Sequence, residues 1–279
     1  MRSNGPITMT FPPFRGVTRQ IILAAIVVFF ATFLLSALAP AMAARLLGLL
    51  LLSPEGALLH GMVWQLFTYA FLPTGLLSVL FALLSMWFFG SQLEDEQGSR
   101  WFGEYFLVSV VGGGLLAALI AVAVDGRIGG IDPIAATAGL WPAVLALLLA
   151  FARFHAEEEL RFNFIFRIKA KYLAAIYLLF YLASTLVGHD RFGALTAVCA
   201  GLSGYLYLQF VPRRGLRFAA SERWYTWRND YYRSKRQRAA KKFKVYMGKQ
   251  GKDVSIDSEG RYVDPDGVPR DPSDKRWMN

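Results

Sequence analysis

The sequence predicts an all-α polytopic membrane protein, built as a bundle of six transmembrane helices with a basic cytoplasmic tail. Hydrophobic residues make up 55% of the 279 residues and the mean hydropathy is +0.37, both above the range of ordinary soluble domains. The apolar residues also occur in blocks of about 16–25, the length that crosses a bilayer. The net charge of +10 is unevenly distributed, because fourteen of the thirty Lys and Arg lie between residues 213 and 252.

The chain divides into three parts, and all six apolar runs lie in the middle part. A polar leader at residues 1–19 precedes a membrane domain at 20–211, and the tail covers 212–279. Dense aromatic residues and a Ser-Pro break predict that 41–75 is a long loop at the membrane–water interface. The predicted spans are residues 20–40, 76–90, 102–124, 133–152, 170–187 and 192–211.

The connections between the spans predict the orientation. Five Lys or Arg accompany the turn from the fourth span to the fifth, and the basic tail follows the sixth. By the positive-inside rule both termini are then cytoplasmic, as six spans require. The connection at 92–100 lies on the same side and is net acidic, but acidic residues contribute little to that rule. In the absence of transit features, the expected location is a bacterial inner membrane.

Four segments of the membrane domain carry recognisable motifs. The long loop contains WQLFT at 64–68, and the junction of the second and third spans reads WFFG, LE and GSR between residues 87 and 100. FIFRIKAK at 164–171 leads into the fifth span, and AGLSGY at 200–205 lies in the sixth. In this order they resemble the motifs of the rhomboid family of intramembrane serine proteases, and the resemblance covers about residues 20–211.

The resemblance implies four functional positions. In that family a serine of the fourth span is the nucleophile and a histidine of the sixth is its base. A histidine and an asparagine of the second span donate hydrogen bonds to the oxyanion. In this sequence the four positions hold Ala138, Ala194, Ser78 and Ala82, in that order. No catalytic residue is therefore assigned, and we expect a rhomboid pseudoprotease that binds transmembrane segments of client membrane proteins without cleaving them.

The side chains available lead to the same expectation without any alignment. The fourth span contains no serine, and its one hydroxyl belongs to Thr137. The three histidines, His60, His155 and His189, all lie outside the predicted spans. The alternative is an active intramembrane serine endopeptidase with non-standard residues, such as a Thr137–His189 pair. Its nucleophile and base would have to come within about 3 Å of each other.

Small residues predict where helices pack closely. Gly193, Ala197 and Gly201 recur every four residues on the sixth span, with Gly204 beyond them, and Gly139 belongs to a similar face of the fourth span. Small residues on one helical face allow backbones to approach closely in lipid. We therefore expect the fourth and sixth spans to pack together. We also expect Pro142 to kink the fourth span.

The sequence predicts no cofactor and no metal site. The acidic cluster at 94–96 is interpreted as a solvated helix start, where carboxylates are favoured. The cluster at 157–159 beside His155 is interpreted as a charged turn, since too few ligand types converge for a metal. The single cysteine, Cys199, excludes an intrachain disulfide.

The tail interleaves aromatic residues with Lys and Arg at three- and four-residue spacing, which predicts a helix with an aromatic face. Because it follows a span directly, we expect it to bind membrane lipids of an anionic leaflet. Nucleic acid is the less favoured partner. A membrane tether that acts through this tail is a further functional alternative. The final stretch, 253–279, is rich in Asp, Pro, Gly and Ser and predicts disorder.

Overall fold

The computed structural model describes residues 12–124, 132–162, 166–211, 216–249, 255–256 and 262–263. Most of the predicted leader, two residues of the FIFRIKAK motif and nearly all of the predicted disordered end lie outside the described residues. The chain divides into two units, Met1–Gly215 and Leu216–Asn279.

The first unit is a helical bundle with one small hairpin. Its helices are α1 (Gly16–Leu38), α2 (Pro40–Leu50), α3 (Gln65–Thr68), α4 (Leu76–Ser85), α5 (Ser91–Gln97), α6 (Ser99–Val124), α7 (Trp141–Phe154), α8 (Ala170–Val187) and α9 (Arg191–Phe210). π-Helical turns occur at Glu55–Leu59 and Met86–Gly90, and a 3₁₀ turn at Tyr69–Phe71. Strands β1 (Glu159–Phe162) and β2 (Phe166–Lys169) pair antiparallel.

Four of the described helical segments are long and apolar enough to cross a membrane. They are Gly16–Leu38, Leu76–Gln97, Ser99–Val124 and Ala170–Val187. The expectation of a helical membrane protein is confirmed at this level. The other two predicted spans correspond to α7, with 14 residues, and α9, with 20 residues, neither of which is among those four.

Several elements differ from the sequence-based expectation. The second predicted span continues through a π-helical turn to Gln97. The predicted interfacial loop contains the regular helix α2. Helix α7 begins at Trp141 rather than near 133, because the preceding residues form extended chain that pairs with the long loop. Pro142 therefore stands in the first helical turn, where its missing N–H would have no intrahelical partner, and the expected kink has no cause there.

Helices α6, α7 and α9 form the centre of the bundle. Most of α7 is buried, and the Tyr105 hydroxyl of α6 donates to the Ala146 carbonyl of α7 at 2.5 Å. By contrast, only 17% of α1 and 11% of α8 is buried within their most apolar windows. Apolar side chains exposed on outer helices are what a lipid environment requires.

Three carboxylates of α5 connect helix ends on one face of the bundle. Glu94 accepts hydrogen bonds from the first backbone N–H groups of α1, at 2.6 and 2.8 Å. Asp95 pairs with Arg15, and a Glu96 oxygen lies 2.8 Å from the Nε2 of His155, just after α7. The N-terminal end of α1, the α5 turn and the C-terminal end of α7 therefore lie on the same face.

Among its described residues, the second unit is mainly one helix. Helix α10 (Leu216–Lys249) has 34 residues, which corresponds to about 51 Å at 1.5 Å per residue. The short strands β3 (Ser255–Ile256) and β4 (Tyr262–Val263) pair antiparallel.

Candidate functional site

The segment before α7 enters the bundle as extended chain and carries the position where the resemblance places the nucleophile. The N–H and C=O of Thr137 both pair with Leu52, at 2.9 and 3.1 Å. The N–H of Gly139 donates to the Tyr69 carbonyl at 2.8 Å, and the N–H of Glu55 donates to the Pro133 carbonyl. Backbone groups that are buried away from water need internal partners. The long loop supplies them here.

The long loop is itself held by buried polar contacts. Gln65 is 1% exposed, and its side-chain oxygen accepts from the backbone N–H of Ser53 at 3.2 Å. The Trp64 indole donates to the Leu49 carbonyl at 2.9 Å, and the Thr68 hydroxyl donates to the next carbonyl along the chain. The bonds from Trp64 and Thr68 satisfy carbonyls at the C-terminal end of α2, which would otherwise lack partners. The loop therefore forms a fixed frame for the extended segment.

A small pocket lies where α4 meets this frame. Its lining includes Ser78 and Ala82 of α4, Gly139, Trp141 and the α1 residue Phe29. The space inside is about 10 Å³. That volume is at the lower limit for a single water molecule. The pocket is therefore nearly filled by the protein's own side chains.

Polar side chains at the pocket are already hydrogen-bonded to each other. The Trp141 indole N–H donates to the Ser78 hydroxyl at 2.8 Å. The Thr74 and Ser78 hydroxyls are also 2.8 Å apart. Helix α4 turns Ser78 toward Trp141, while Phe81 and four of its five leucines are exposed on the outward side. Ser78 is thus engaged in holding α4 against the start of α7.

The four positions named by the resemblance fall at different places around this frame. Ser78 and Ala82 both line the pocket. Ala138 is half-buried in the extended segment, and Ala194 is buried in the first turn of α9. Neither alanine is among the described residues that line the pocket.

The arrangement around Ala138 offers little for acyl-transfer chemistry. The backbone N–H groups on either side of it, those of Thr137 and Gly139, already donate to carbonyls. An oxyanion site needs donors that are directed at the reacting oxygen and free to bind it. The Cβ of Ala138 carries no nucleophilic atom. The segment therefore has a structural role, through its backbone hydrogen bonds to the long loop.

The hydroxyl and imidazole side chains do not form a pair in the described part of the chain. Thr137 is 5% exposed, whereas His60 and His189 are exposed residues of connecting segments. The His155 Nε2 lies 2.8 Å from a Glu96 oxygen, and its ring stacks on Phe151. His155 thus belongs to the face where α5 and α7 end.

The small residues named as packing positions have separate roles. Ala197 is fully buried, and Gly201 faces Leu149 of α7. Gly204 faces α6, where an added Cβ would lie 2.5 Å from the Tyr105 hydroxyl. Gly193 lies against its own N-cap residue, Asp190, whose carboxylate accepts from the Gly193 N–H at 2.8 Å. Gly139 precedes α7 and has a φ of 108°, a value that favours glycine.

A very close helix approach involves a residue that the motif comparison does not include. At Gly113 of α6 an added Cβ would lie 2.5–2.7 Å from the Cα, Cβ and N atoms of Ala200 on α9. Its sequence signal is the run of three glycines at 112–114 within an apolar helix. The sequence also gives no signal for Trp141, because its partner Ser78 lies 63 residues away. Gln65 lies within the WQLFT motif, but the motif does not indicate its buried hydrogen bond to Ser53. No group of three or more His, Cys, Asp or Glu that could hold a metal ion occurs among the described residues.

Comparison with known proteins identifies a family. None of the curated proteins compared matches the chain. The family model described as eukaryotic integral membrane protein (DUF1751) matches residues 22–229. That description confirms an integral membrane protein, and it shows that the predicted bacterial inner-membrane location is wrong. The prediction relied on an absent transit signal, which does not distinguish bacterial from eukaryotic membranes. Because the match covers well over half of the chain, the protein belongs to the DUF1751 family of eukaryotic integral membrane proteins.

Proposed function

We propose that this protein is a rhomboid-like bundle of six membrane-crossing helices that binds transmembrane segments of client proteins and does not cleave them. The observation that carries the proposal is the segment around Ala138. A methyl group stands at the nucleophile position, and the flanking backbone N–H groups are bonded to the long loop. The motifs quoted above and the membership in a membrane-protein family support the scaffold.

Six crossings require that α7 and α9 also traverse the bilayer. Helix α9 has 20 residues and a length of about 30 Å, which matches the hydrocarbon thickness. Helix α7 is only about 21 Å long, but the extended segment before it continues inward with its backbone groups paired. The pairing removes the usual objection to non-helical chain at that depth.

Cysteine labelling tests this count. In a Cys199→Ala background, Arg15→Cys and Glu158→Cys should react with a membrane-impermeant maleimide from one side only. His189→Cys, in the turn before α9, should react from the other side. Labelling of His189→Cys from the same side as Arg15→Cys would exclude six crossings.

Client binding is expected beside the pocket, along the outward face of α4. Leu76, Leu77, Leu80, Phe81 and Leu84 are each more than half exposed there, next to a pocket that the protein's own side chains nearly fill. A client helix packed on this face would contact α4, which is attached to α7 through the Ser78–Trp141 hydrogen bond.

Photo-crosslinking distinguishes this site from general lipid exposure. A photo-reactive amino acid at Leu80 should give discrete adducts with single-span membrane proteins in native membranes. Leu119 of α6 is also an exposed apolar residue, at 48% against 57% for Leu80, and serves as the matched control. Equal protein adducts at both positions would contradict a specific binding face.

Absence of proteolysis needs its own test. The reconstituted protein should leave a model transmembrane substrate intact over many hours. Thr137→Val is the diagnostic variant, because Thr137 holds the only side-chain hydroxyl of the predicted fourth span. Cleavage by the unmodified protein that this change abolishes would establish the alternative, an active protease with a threonine nucleophile.

A further inference from the structure

Helix α10 carries aromatic side chains that the described residues leave uncovered. Trp224, Trp227 and Tyr231 recur at spacings of three and four residues and are 58%, 62% and 56% exposed. Their rings follow one another along the helix, with centroids 5.5 and 6.3 Å apart. Large aromatic residues rarely remain in water as a contiguous strip. The strip therefore indicates a binding surface.

Basic residues continue the same side of the helix. Residues seven apart in an α-helix lie nearly above one another, since 3.6 residues make a turn. Trp224, Tyr231 and Arg238, each seven residues apart, therefore form one row along the helix. Arg228, Lys235 and Lys242 form a second row beside it. The guanidinium of Arg228 also lies 4.9 Å from the centre of the Tyr225 ring. The aromatic strip and these cations together form what we call the ring side of α10.

The opposite side has a different composition. Thr226, Asn229, Arg233 and Gln237 occupy it, at angular positions about 130–170° from the middle of the ring side. Asp230 lies between the two sides, about 60° around the helix from Trp227 and about 100° from Tyr231. Over its whole length α10 contains eleven Lys or Arg against two acidic residues. An anionic surface would therefore meet a helix with a large excess of positive charge, and the ring side itself carries four of these Lys and Arg.

We propose that α10 lies along an anionic bilayer surface, with its ring side in the headgroup region. Trp and Tyr rings favour that region because it satisfies both their apolar and polar parts. Helices of this kind bind by burying an apolar face and by attraction of Lys and Arg to anionic lipids. Only five residues separate α10 from the end of α9, so a short chain segment tethers the helix to the membrane. This inference does not depend on client binding.

Single-stranded RNA would also attract aromatic and basic side chains, through base stacking and phosphate contacts. The tether favours the bilayer, because an attached surface is present at a high effective concentration. Each basic residue near an anionic surface raises surface partitioning about fivefold. Salt should weaken the docking, since the Debye length falls from about 10 Å at 0.1 M to about 3 Å at 1 M.

The test uses the full chain in nanodiscs, with Cys199→Ala as background and one environment-sensitive fluorophore. Lys235→Cys places the label on the ring side, and Arg233→Cys places it on the opposite side at the same cost of one positive charge. With about a third phosphatidylserine in the discs, the label at 235 should shift to the blue and be quenched by spin-labelled lipid. The label at 233 should keep the emission of a water-exposed group. Pure phosphatidylcholine discs or 1 M salt should abolish the difference.

A ring-removal variant, Trp224→Ser with Trp227→Ser and Tyr231→Ser, should reduce the quenching at position 235 at least tenfold. Its control is Thr226→Ala with Asn229→Ala and Gln237→Ala on the opposite side, which should leave quenching unchanged. Equal emission at 233 and 235 in anionic discs would overturn the proposal. So would a shift of the label at 235 in neutral discs when a single-stranded RNA oligonucleotide is added, if anionic lipid produces none.

Discussion

Replacement of Gly113 by alanine perturbs a very close contact between helices α6 and α9. The added Cβ would lie 2.5 Å from the Ala200 Cα, 2.6 Å from its Cβ and 2.7 Å from its N. Ordinary carbon–carbon contacts are about 3.5–4.0 Å. Two of the three atoms belong to the backbone, so no rotamer change relieves the overlap. Helix α9 would have to move away from α6 by about 1 Å.

Two opposing terms determine the size of the effect. Overpacking of a dense core costs about 1–3 kcal/mol, and a backbone obstacle places this site toward the upper end. Alanine in a helix interior regains up to about 1 kcal/mol relative to glycine. The free energy of unfolding should therefore fall by about 1–2 kcal/mol, a change of roughly five- to thirtyfold in the folding equilibrium.

The measurement is an unfolding titration in mixed micelles, with the denaturing detergent as the variable. Gly103 is the matched control, because it lies in the same helix and an added Cβ would be 3.7 Å from Val17, an ordinary contact. Gly103→Ala should leave stability unchanged or raise it by up to about 1 kcal/mol. Equal stability of the two variants would refute the close approach of α6 and α9.

Further predictions concern the carboxylates outside the helix core. Glu94→Gln should lower stability by about 1–2 kcal/mol in the same titration, because the first backbone N–H groups of α1 lose a charged acceptor. Asp95→Asn, which breaks an exposed ion pair, should change it by less than about 0.5 kcal/mol. Hydrogen bonds from Lys169 and Lys171 hold the pKa of Glu157 at about 2, below its ordinary value of 4.5. Lys169→Met should raise that pKa in a carboxyl carbon-13 NMR titration. In the unmodified protein the contribution of these pairs is complete above pH 4.5 and disappears as the pH falls toward 2.

Apolar run length and charge were sufficient to predict most of the helices, since span length depends on bilayer thickness rather than on partners. The start of α7 was not predictable in this way. Residues 133–140 are mostly apolar, like the helix that follows, and apolar character alone does not distinguish a helix from chain paired to another segment. What decides between them is the bridge from Leu52 to Thr137, which spans 85 residues of sequence.

The candidate site shows a similar division between local and long-range information. Ser78 and Ala82 lie four residues apart on one helix, so periodicity alone predicts that they share a face, and both line the pocket. The indole that donates a hydrogen bond to the Ser78 hydroxyl belongs to Trp141, which lies 63 residues further along the sequence. Nothing in the local pattern indicates it. Motif spacing identifies positions on one helix, but the side chain that fills the space between helices depends on the packed structure.

The acidic turn at 94–96 illustrates how local charge is misleading without its partners. In sequence it is an anomaly, since a connection with a net negative charge lies on the side that carries the basic loop. In the structure each carboxylate has a specific neighbour: Glu94 accepts from the start of α1, Asp95 pairs with Arg15, and a Glu96 oxygen lies 2.8 Å from the Nε2 of His155. The guanidinium of Arg15 and the positive end of the α1 dipole partly compensate the charges of Asp95 and Glu94. The three acidic residues therefore connect the N-terminal end of α1 and the C-terminal end of α7 to the turn that precedes α6.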